Sequence, residues 1–422
     1  MNTLLFVLAL QQAPAIDVDL AHRYFAEARA LAAADAGSLW GKPIASPVIF
    51  AEPRTRMIVA SERDANGALQ ANGNVFVGTL PENVTIANNA LDWSGTHWTM
   101  VRWPLPENRY ARQRLLAHEM FHRLQPALGI PAGDVANSHL ALGEGRTLMR
   151  LEWRALAEAL IRSGAARRTA IADALMFRAR RRQLFEKAGM EERVLELNEG
   201  LAEYTGFKLS GLPANVLMDR AAVQLGNYET MDNFARSFAY ASGPAYGLLL
   251  DAADAQWRKH IKPDSDLGAM LGAAYRIPAR NAAELDRRIG AYAAERMVAE
   301  EKLRAERFAH QQKELRAKLV DGATLLLPVA GSFSYGFDPN GAIPIEGVGT
   351  AYQSLRVTDE WGILEVESGG ALLLRGDAGI SGVRVPAPVS AERPFAGNGW
   401  KLTLNAEWTI VPDGKGFRVQ KK

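Results

Sequence analysis

The chain has 422 residues, is 48% hydrophobic and contains no cysteine, so it can bury cores for two or three domains but excludes disulfides, Cys-ligated metals and cysteine lipid anchors. Its 49 basic and 47 acidic residues nearly cancel, leaving +2, and no global field points to nucleic acid or a membrane surface.

Residues 1–15 (MNTLLFVLALQQAPA) carry an apolar run from Leu4 to Leu10 and small residues at Ala13 and Ala15, the pattern of a signal peptide, although no Lys or Arg precedes the run. The expected location is periplasmic or secreted. No later stretch approaches the ~20 apolar residues of a membrane span. From Asp17 to Ala36, Leu20, Tyr24, Ala28 and Leu31 keep helical spacing, with Gly37 after the end. Pro47 to Ala60 and Asn74 to Asn88 are rich in β-branched and aromatic residues, cut by Pro, Gly and Asn, and read as strands of a small sheet. His97 to Leu105 alternates apolar and polar residues and stops at prolines. Trp93, Trp98 and Trp103 are either core residues or apolar walls of a cleft, and His97 reads as structural.

Arg112 to Gln125 (RQRLLAHEMFHRLQ) is the most informative stretch. Leu115, Leu116, Phe121 and Leu124 give it a helical repeat, and Pro126 with Gly129 ends it. It contains His118-Glu119-Met120-Phe121-His122; with 7 His and 47 acidic residues, such an HExxH match is expected only ~0.01 times by chance. Two His four apart share a helical face, so both imidazoles can reach one ion, and Glu119 stands near enough to handle a water proton. A catalytic zinc takes three protein ligands and leaves a fourth position to water, so a third ligand is required. Two carboxylates compete for it. Glu144 follows His122 after residues 123 to 143, whereas Glu199, in Leu197 to Tyr204, follows only after residues 123 to 198. Asn198 precedes Glu199, and Glu203 lies one helical turn beyond it.

Between these candidates, Ser138 to Arg193 is rich in Ala and Arg and reads as a helical hairpin turning near Gly164. The run Arg178 to Arg182 (RARRR), set among Glu186, Glu191 and Glu192, reads as a solvated helix face rather than a nucleic-acid patch.

His118 to His122 and Asn198 to Tyr204, together with Tyr240 to Gly243, resemble the gluzincin metallopeptidases, in which HExxH on one helix is completed by a Glu on a second. The resemblance implies that Glu199 is the third zinc ligand, ahead of Glu144, and that Glu203 is the carboxylate behind a ligating His. It implies that Tyr240, in a Tyr-x-x-Gly element, donates to the oxyanion, with Tyr204, Tyr228 and Tyr246 as competitors. It also implies that the strand within 97–105 is a sheet edge lining the cleft and pairing with extended substrate. Two departures stand out: the long interval between His122 and Glu199, and the lack of the Gly-x-Met-Glu-Asn element of the aminopeptidase branch, which argues against assigning exopeptidase activity.

Arg287 to Lys318 reads as a long charged connecting helix with a sparse core face, free to project from the body. From Ala323, short strands separated by Gly, Pro, Asn and Asp form an all-β module without His. The expected architecture is α+β: a signal peptide (1–15), an N-terminal α/β subdomain with a small mixed sheet (16–110), a helical zinc-site subdomain with an inserted hairpin (111–320), and a sandwich or small barrel (321–422), the first two folded parts forming a zincin-like core. The expected function is a zinc-dependent peptidase with one Zn2+ per chain, acting on a peptide or protein without nucleic acid or a membrane span. A zinc hydrolase of a non-peptide substrate, and a non-catalytic or latent protein binding through its β-module, are the competing readings.

Overall fold

A computed structural model describes residues 15–422 apart from 131, 134, 142, 279–281, 293, 338–340, 377–378, 390–392 and 394; the apolar stretch 1–14 lies outside the described residues. The described chain is α+β, with an N-terminal mixed sheet, a helical region and C-terminal β-sheets. Among the described residues no helix is long and apolar enough to cross a membrane.

Helix α1 (Val18–Asp35) begins where the Asp17 side chain accepts the Leu20 amide at 2.9 Å, and it buries Ala21, Tyr24, Phe25, Ala28 and Leu31. Phe25 stacks on Phe50 of the sheet, 4.4 Å between ring centres. The sheet comprises β1 (Val48–Ala51), β2 (Met57–Ala60), β3 (Gln70–Asn72), β4 (Val75–Thr79), β5 (Asn89–Trp93) and β6 (Thr96–Arg102), in the order β3-β4-β2-β1-β6-β5. Only β1 and β6 are parallel.

The strand that leads into the HExxH helix is therefore not an edge, which corrects the expectation drawn for 97–105. Trp98 and Met100 bury one face of β6 against Ile49 and Ile58, while Val101 buries the other with Val48, Phe50 and Val59. A strand buried on both faces belongs inside a sheet, and β5, which is half exposed along its length, takes the edge instead. Trp98 and Trp103 are core residues, Trp93 packs against the smaller cluster, and none of the three lines the cleft.

Helix α2 (Arg109–Leu124) carries the motif, and α3 (Gly143–Ile161) and α4 (Gly164–Leu184) form the packed pair expected from the sequence, turning at Gly164, whose φ of +56° suits glycine. Helix α5 (Ala188–Leu195) continues through a π-helical turn, Glu196–Gly200, into α6 (Leu201–Leu209); α7 (Ala214–Tyr228), α8 (Phe238–Ala253), α9 (Leu267–Ala274), α10 (Ala282–Ile289) and α11 (Ala294–Arg316) follow. The arginine run is not a solvated face. Arg178, Arg181 and Arg182 share one side of α4, where Arg178 binds Glu196 (2.7 Å), Arg181 binds Glu192 (2.6 Å) and Glu152 (2.7 Å), and Arg182 binds Glu192 (2.9 Å). Arg178 and Arg181 are buried because acids from α3, α5 and the π-turn converge on that side. Nor does α11 project: Met297 and Glu301 are buried, and Arg146 and Arg150 of α3 bind Glu301 at 2.8 and 3.1 Å.

The C-terminal region packs a seven-stranded sheet, running from Trp408–Asp413 to Ile343–Ile345, on a five-stranded one, running from Phe395–Gly397 to Ser334–Phe337. Leu325 and Val383 of the first meet Val357, Leu364 and Leu402 of the second in one core, so the module is a sandwich. Its five-stranded sheet turns a polar outer face to the N-terminal subdomain. There Arg356 donates to the Glu82 carbonyl (2.7 Å), Thr358 to the Asn83 carbonyl (3.4 Å), and the Ser334 and Thr85 hydroxyls lie 3.1 Å apart.

Candidate metal centre

Helix α2 is capped by Asn108, whose side chain accepts the Ala111 amide at 3.0 Å, and it anchors itself through Leu116, Ala117, Met120, Phe121 and Leu124. That registration turns His118, Glu119 and His122 to the opposite side, into a cavity of about 1250 Å3. His118 Nδ1 lies 2.8 Å from Glu203 Oε2 and must donate to it, because a carboxylate only accepts. His122 Nδ1 lies 2.8 Å from Gln125 Oε1, while the Gln125 amide nitrogen donates to the Asn198 and Leu197 carbonyls at 2.7 and 3.3 Å. The amide orientation is thus settled by its neighbours, and His122 also donates through Nδ1.

Both imidazoles consequently aim an Nε2 lone pair at the same point. The two Nε2 atoms are 3.0 Å apart, and Glu199 Oε2 is 3.5 Å from the first and 3.3 Å from the second. Three electron-rich atoms this close need a cation among them, and His118, His122 and Glu199 form a group that could hold a metal ion. A proton can also serve. Burial alone would lower the His118 pKa, but the Glu199 and Glu203 carboxylates outweigh it and lift it to about 10. Burial likewise opposes ionisation of Glu199, yet hydrogen bonds with the two imidazoles hold its carboxyl well below the usual range.

Glu199 reaches this point from the π-turn, a widened turn of the kind that often marks functional sites in helices. Tyr240 of α8 donates to its Oε2 at 2.7 Å and stacks on His118 with the rings 7° from parallel. Arg236 approaches its Oε1 at 3.8 Å. Gly200 and Gly243 bring the turn and α8 together: a Cβ on Gly243 would lie 2.5 Å from the Gly200 carbonyl carbon, so no side chain fits there. Both glycines of the Asn-Glu-Gly and Tyr-x-x-Gly elements therefore serve one close approach.

Glu119 differs from the other acids. Its carboxyl is buried, one oxygen has no hydrogen-bond partner, and burial raises its pKa against the pull of His118 and His122. Glu203 is held the other way: burial opposes its charge, but His118 and Arg114 stabilise it. Gln224 adds a longer contact to Glu203 at 3.5 Å and donates to the Tyr240 carbonyl at 2.7 Å.

Glu144 is exposed in the first turn of α3 and is not part of the His118–His122–Glu199 group. Among the competing tyrosines, Tyr204 binds Asp251 and Tyr246 binds Glu152, both away from the imidazoles, whereas Tyr228 lines the cavity beside Glu203. Asn198 contributes its backbone carbonyl, through Gln125. His97 pairs with Asp92 at 2.6 Å, apart from the site. Sequence reasoning missed Gln125 and Arg114. Their spacing was available, three residues after His122 and four before His118 on one helical face. Arg236 and Gln224 had no local signal.

The cavity has walls from two parts of the chain: Arg54, Thr85 to Asn88 and Arg102 on the N-terminal side, and Phe337, Arg356, Glu365 and Lys401 on the β-sandwich. Comparison with protein-family models, curated proteins and solved structures finds no match for this chain.

Proposed function

We propose that the chain is a zinc-dependent peptidase working on a gluzincin-like plan, with His118, His122 and Glu199 as ligands. One observation carries the reading: the three donor atoms are separated by 3.0, 3.3 and 3.5 Å beside a buried carboxylate with an unpartnered oxygen. Tetrahedral ligands with bonds of about 2.0–2.1 Å stand about 3.3–3.4 Å apart, and a His2Glu set suits zinc.

Zinc bound there would supply a Lewis acid for the substrate carbonyl and ease the deprotonation of water. The protein supplies the rest. Glu203 and Gln125 lock the imidazole tautomers and so keep both Nε2 atoms available. Glu119, raised by burial and free at one oxygen, takes the proton of the attacking water and returns it to the leaving amine nitrogen. Burial and the neighbouring Glu199 keep Tyr240 protonated, and its one O–H, which in this structure donates to Glu199 Oε2, would turn from that oxygen to the substrate carbonyl oxygen as charge develops there.

Elemental analysis of the wild type, Glu199→Ala and Glu144→Ala, with casein and mixed-peptide hydrolysis on the same preparations, tests the reading. The expected result is about one zinc per chain, lost with hydrolysis in Glu199→Ala and retained in Glu144→Ala. Zinc without hydrolysis of any peptide would favour a non-peptide substrate, and no zinc after reconstitution would overturn the assignment.

A further inference from the structure

The cleft is longer than a metal centre alone requires. Its floor is one face of α2, on which Ala111, Arg114, Leu115, His118, Glu119 and His122 recur at helical spacing. From Ala111 to His122 the helix rises about 16 Å, the length of about five extended residues. Helix α2 runs back along β6, because Arg123 near its end donates to the His97 carbonyl near the start of that strand, at 2.9 Å. Arg102, at the other end of β6, therefore stands by the Ala111 end of the floor, about 10 Å from His118 by helical rise.

Two cations are available at that end. Arg102 is exposed, and its guanidinium makes no hydrogen bond or ion pair among the described residues. Arg54 follows β1, whose last residue Ala51 is paired with Arg102, and its side chain is 66% exposed with only a 3.7 Å approach to Glu52. The other Glu52 oxygen is taken up by the Arg54 and Thr55 amides and the Thr55 hydroxyl. The remaining cations of the cleft are engaged: Arg56 with backbone carbonyls, Arg114 with Glu203, Arg356 with Glu82, and Lys401 with Glu365.

We infer that Arg54 and Arg102 form a carboxylate-binding subsite at the far end of the cleft, holding a substrate carboxylate within about three residues of the scissile bond. The inference rests on the peptidase reading of the metal centre. The carboxylate belongs either to an acidic side chain or to the C-terminus of the peptide, and both present the same planar group to a guanidinium fork.

The test uses the full chain carrying Glu119→Gln, so that bound peptide survives, and fluorescein-labelled alanine-based hexapeptides read by anisotropy at low salt. Four probes are compared: a free C-terminus, a C-terminal amide, an amide with one internal Glu, and the same amide with Gln. The carboxylate-bearing probes are expected to bind at least about tenfold more tightly than their neutral counterparts. Arg54→Ala with Arg102→Ala should abolish that preference without weakening the neutral probes, and salt should do the same. Whether the free-acid or the Glu probe carries the preference identifies the source. Equal binding of all four probes, an equal loss for all four in the double variant, or no binding of any probe would overturn the inference. Carboxylate preference in a chain that hydrolyses no peptide would instead leave the subsite standing and remove the peptidase reading.

Discussion

Replacing Gly243 by alanine would put a methyl group 2.5 Å from the carbonyl carbon of Gly200, and nearer still to its oxygen and Cα. Carbon contacts normally settle at about 3.5–4.0 Å, so α8 and the π-turn would have to part by about 1 Å. The obstacle is backbone on both sides, which puts the overpacking cost near the upper end of the usual range, about 3 kcal/mol. Alanine recovers about 1 kcal/mol of helix propensity, leaving a net loss of about 2 kcal/mol. The same movement displaces Tyr240 and Glu199 relative to the imidazoles, and metal affinity should fall at least about tenfold. Two other glycines calibrate the effect. At Gly200 a Cβ meets its nearest neighbours at 3.2 and 3.3 Å, so the steric and propensity contributions nearly cancel; at Gly226, near the end of α7, it meets nothing within 4 Å, and alanine should stabilise the chain. Urea unfolding with unchanged slope gives the stabilities, and chelator competition gives the affinities. If Gly200→Ala were the more damaging substitution, or if Gly243→Ala bound metal as the wild type does, the close approach would not be what assembles the site.

Glu203→Ala removes the acceptor for both His118 Nδ1 and Arg114, and metal affinity should drop about 10- to 100-fold, with Glu203→Gln milder because its carbonyl can still accept. Asp64 provides a pH test away from the metal. Burial would raise its pKa, but the Ser94 hydroxyl and the Ala68 and Leu69 amides pull it from 3.8 to about 2. A depressed carboxylate stabilises the fold fully above its unfolded value and loses that contribution as pH falls through its folded value. Asp64→Asn should therefore be less stable than the wild type at pH 7, with the gap in thermal midpoint closing between about pH 4 and pH 2. A gap that stayed constant over that interval would show that Asp64 acts by shape alone.

Much of this molecule is encoded in neighbouring residues. The spacing of His118, Glu119 and His122 within an apolar repeat placed them on one helical face, Gly164 marked the α3–α4 turn, and the change of composition after Ala323 marked the β-module. These are local signals, since periodicity and turn chemistry act over a few residues. The pairing of remote segments is a different matter. Glu199 and Glu144 were both eligible carboxylates, and only the folding of α3 to α5 carries one to the imidazoles and leaves the other in solvent. The position of β6 depended on β5 pairing outside it, and the burial of Arg178 and Arg181 on acids arriving from three other elements. The glycine contact between the π-turn and α8, and the sandwich face that closes the cleft, likewise join residues far apart in the chain. Such contacts form because distant surfaces find satisfied partners together, a property of the assembled tertiary structure that no single window of sequence contains.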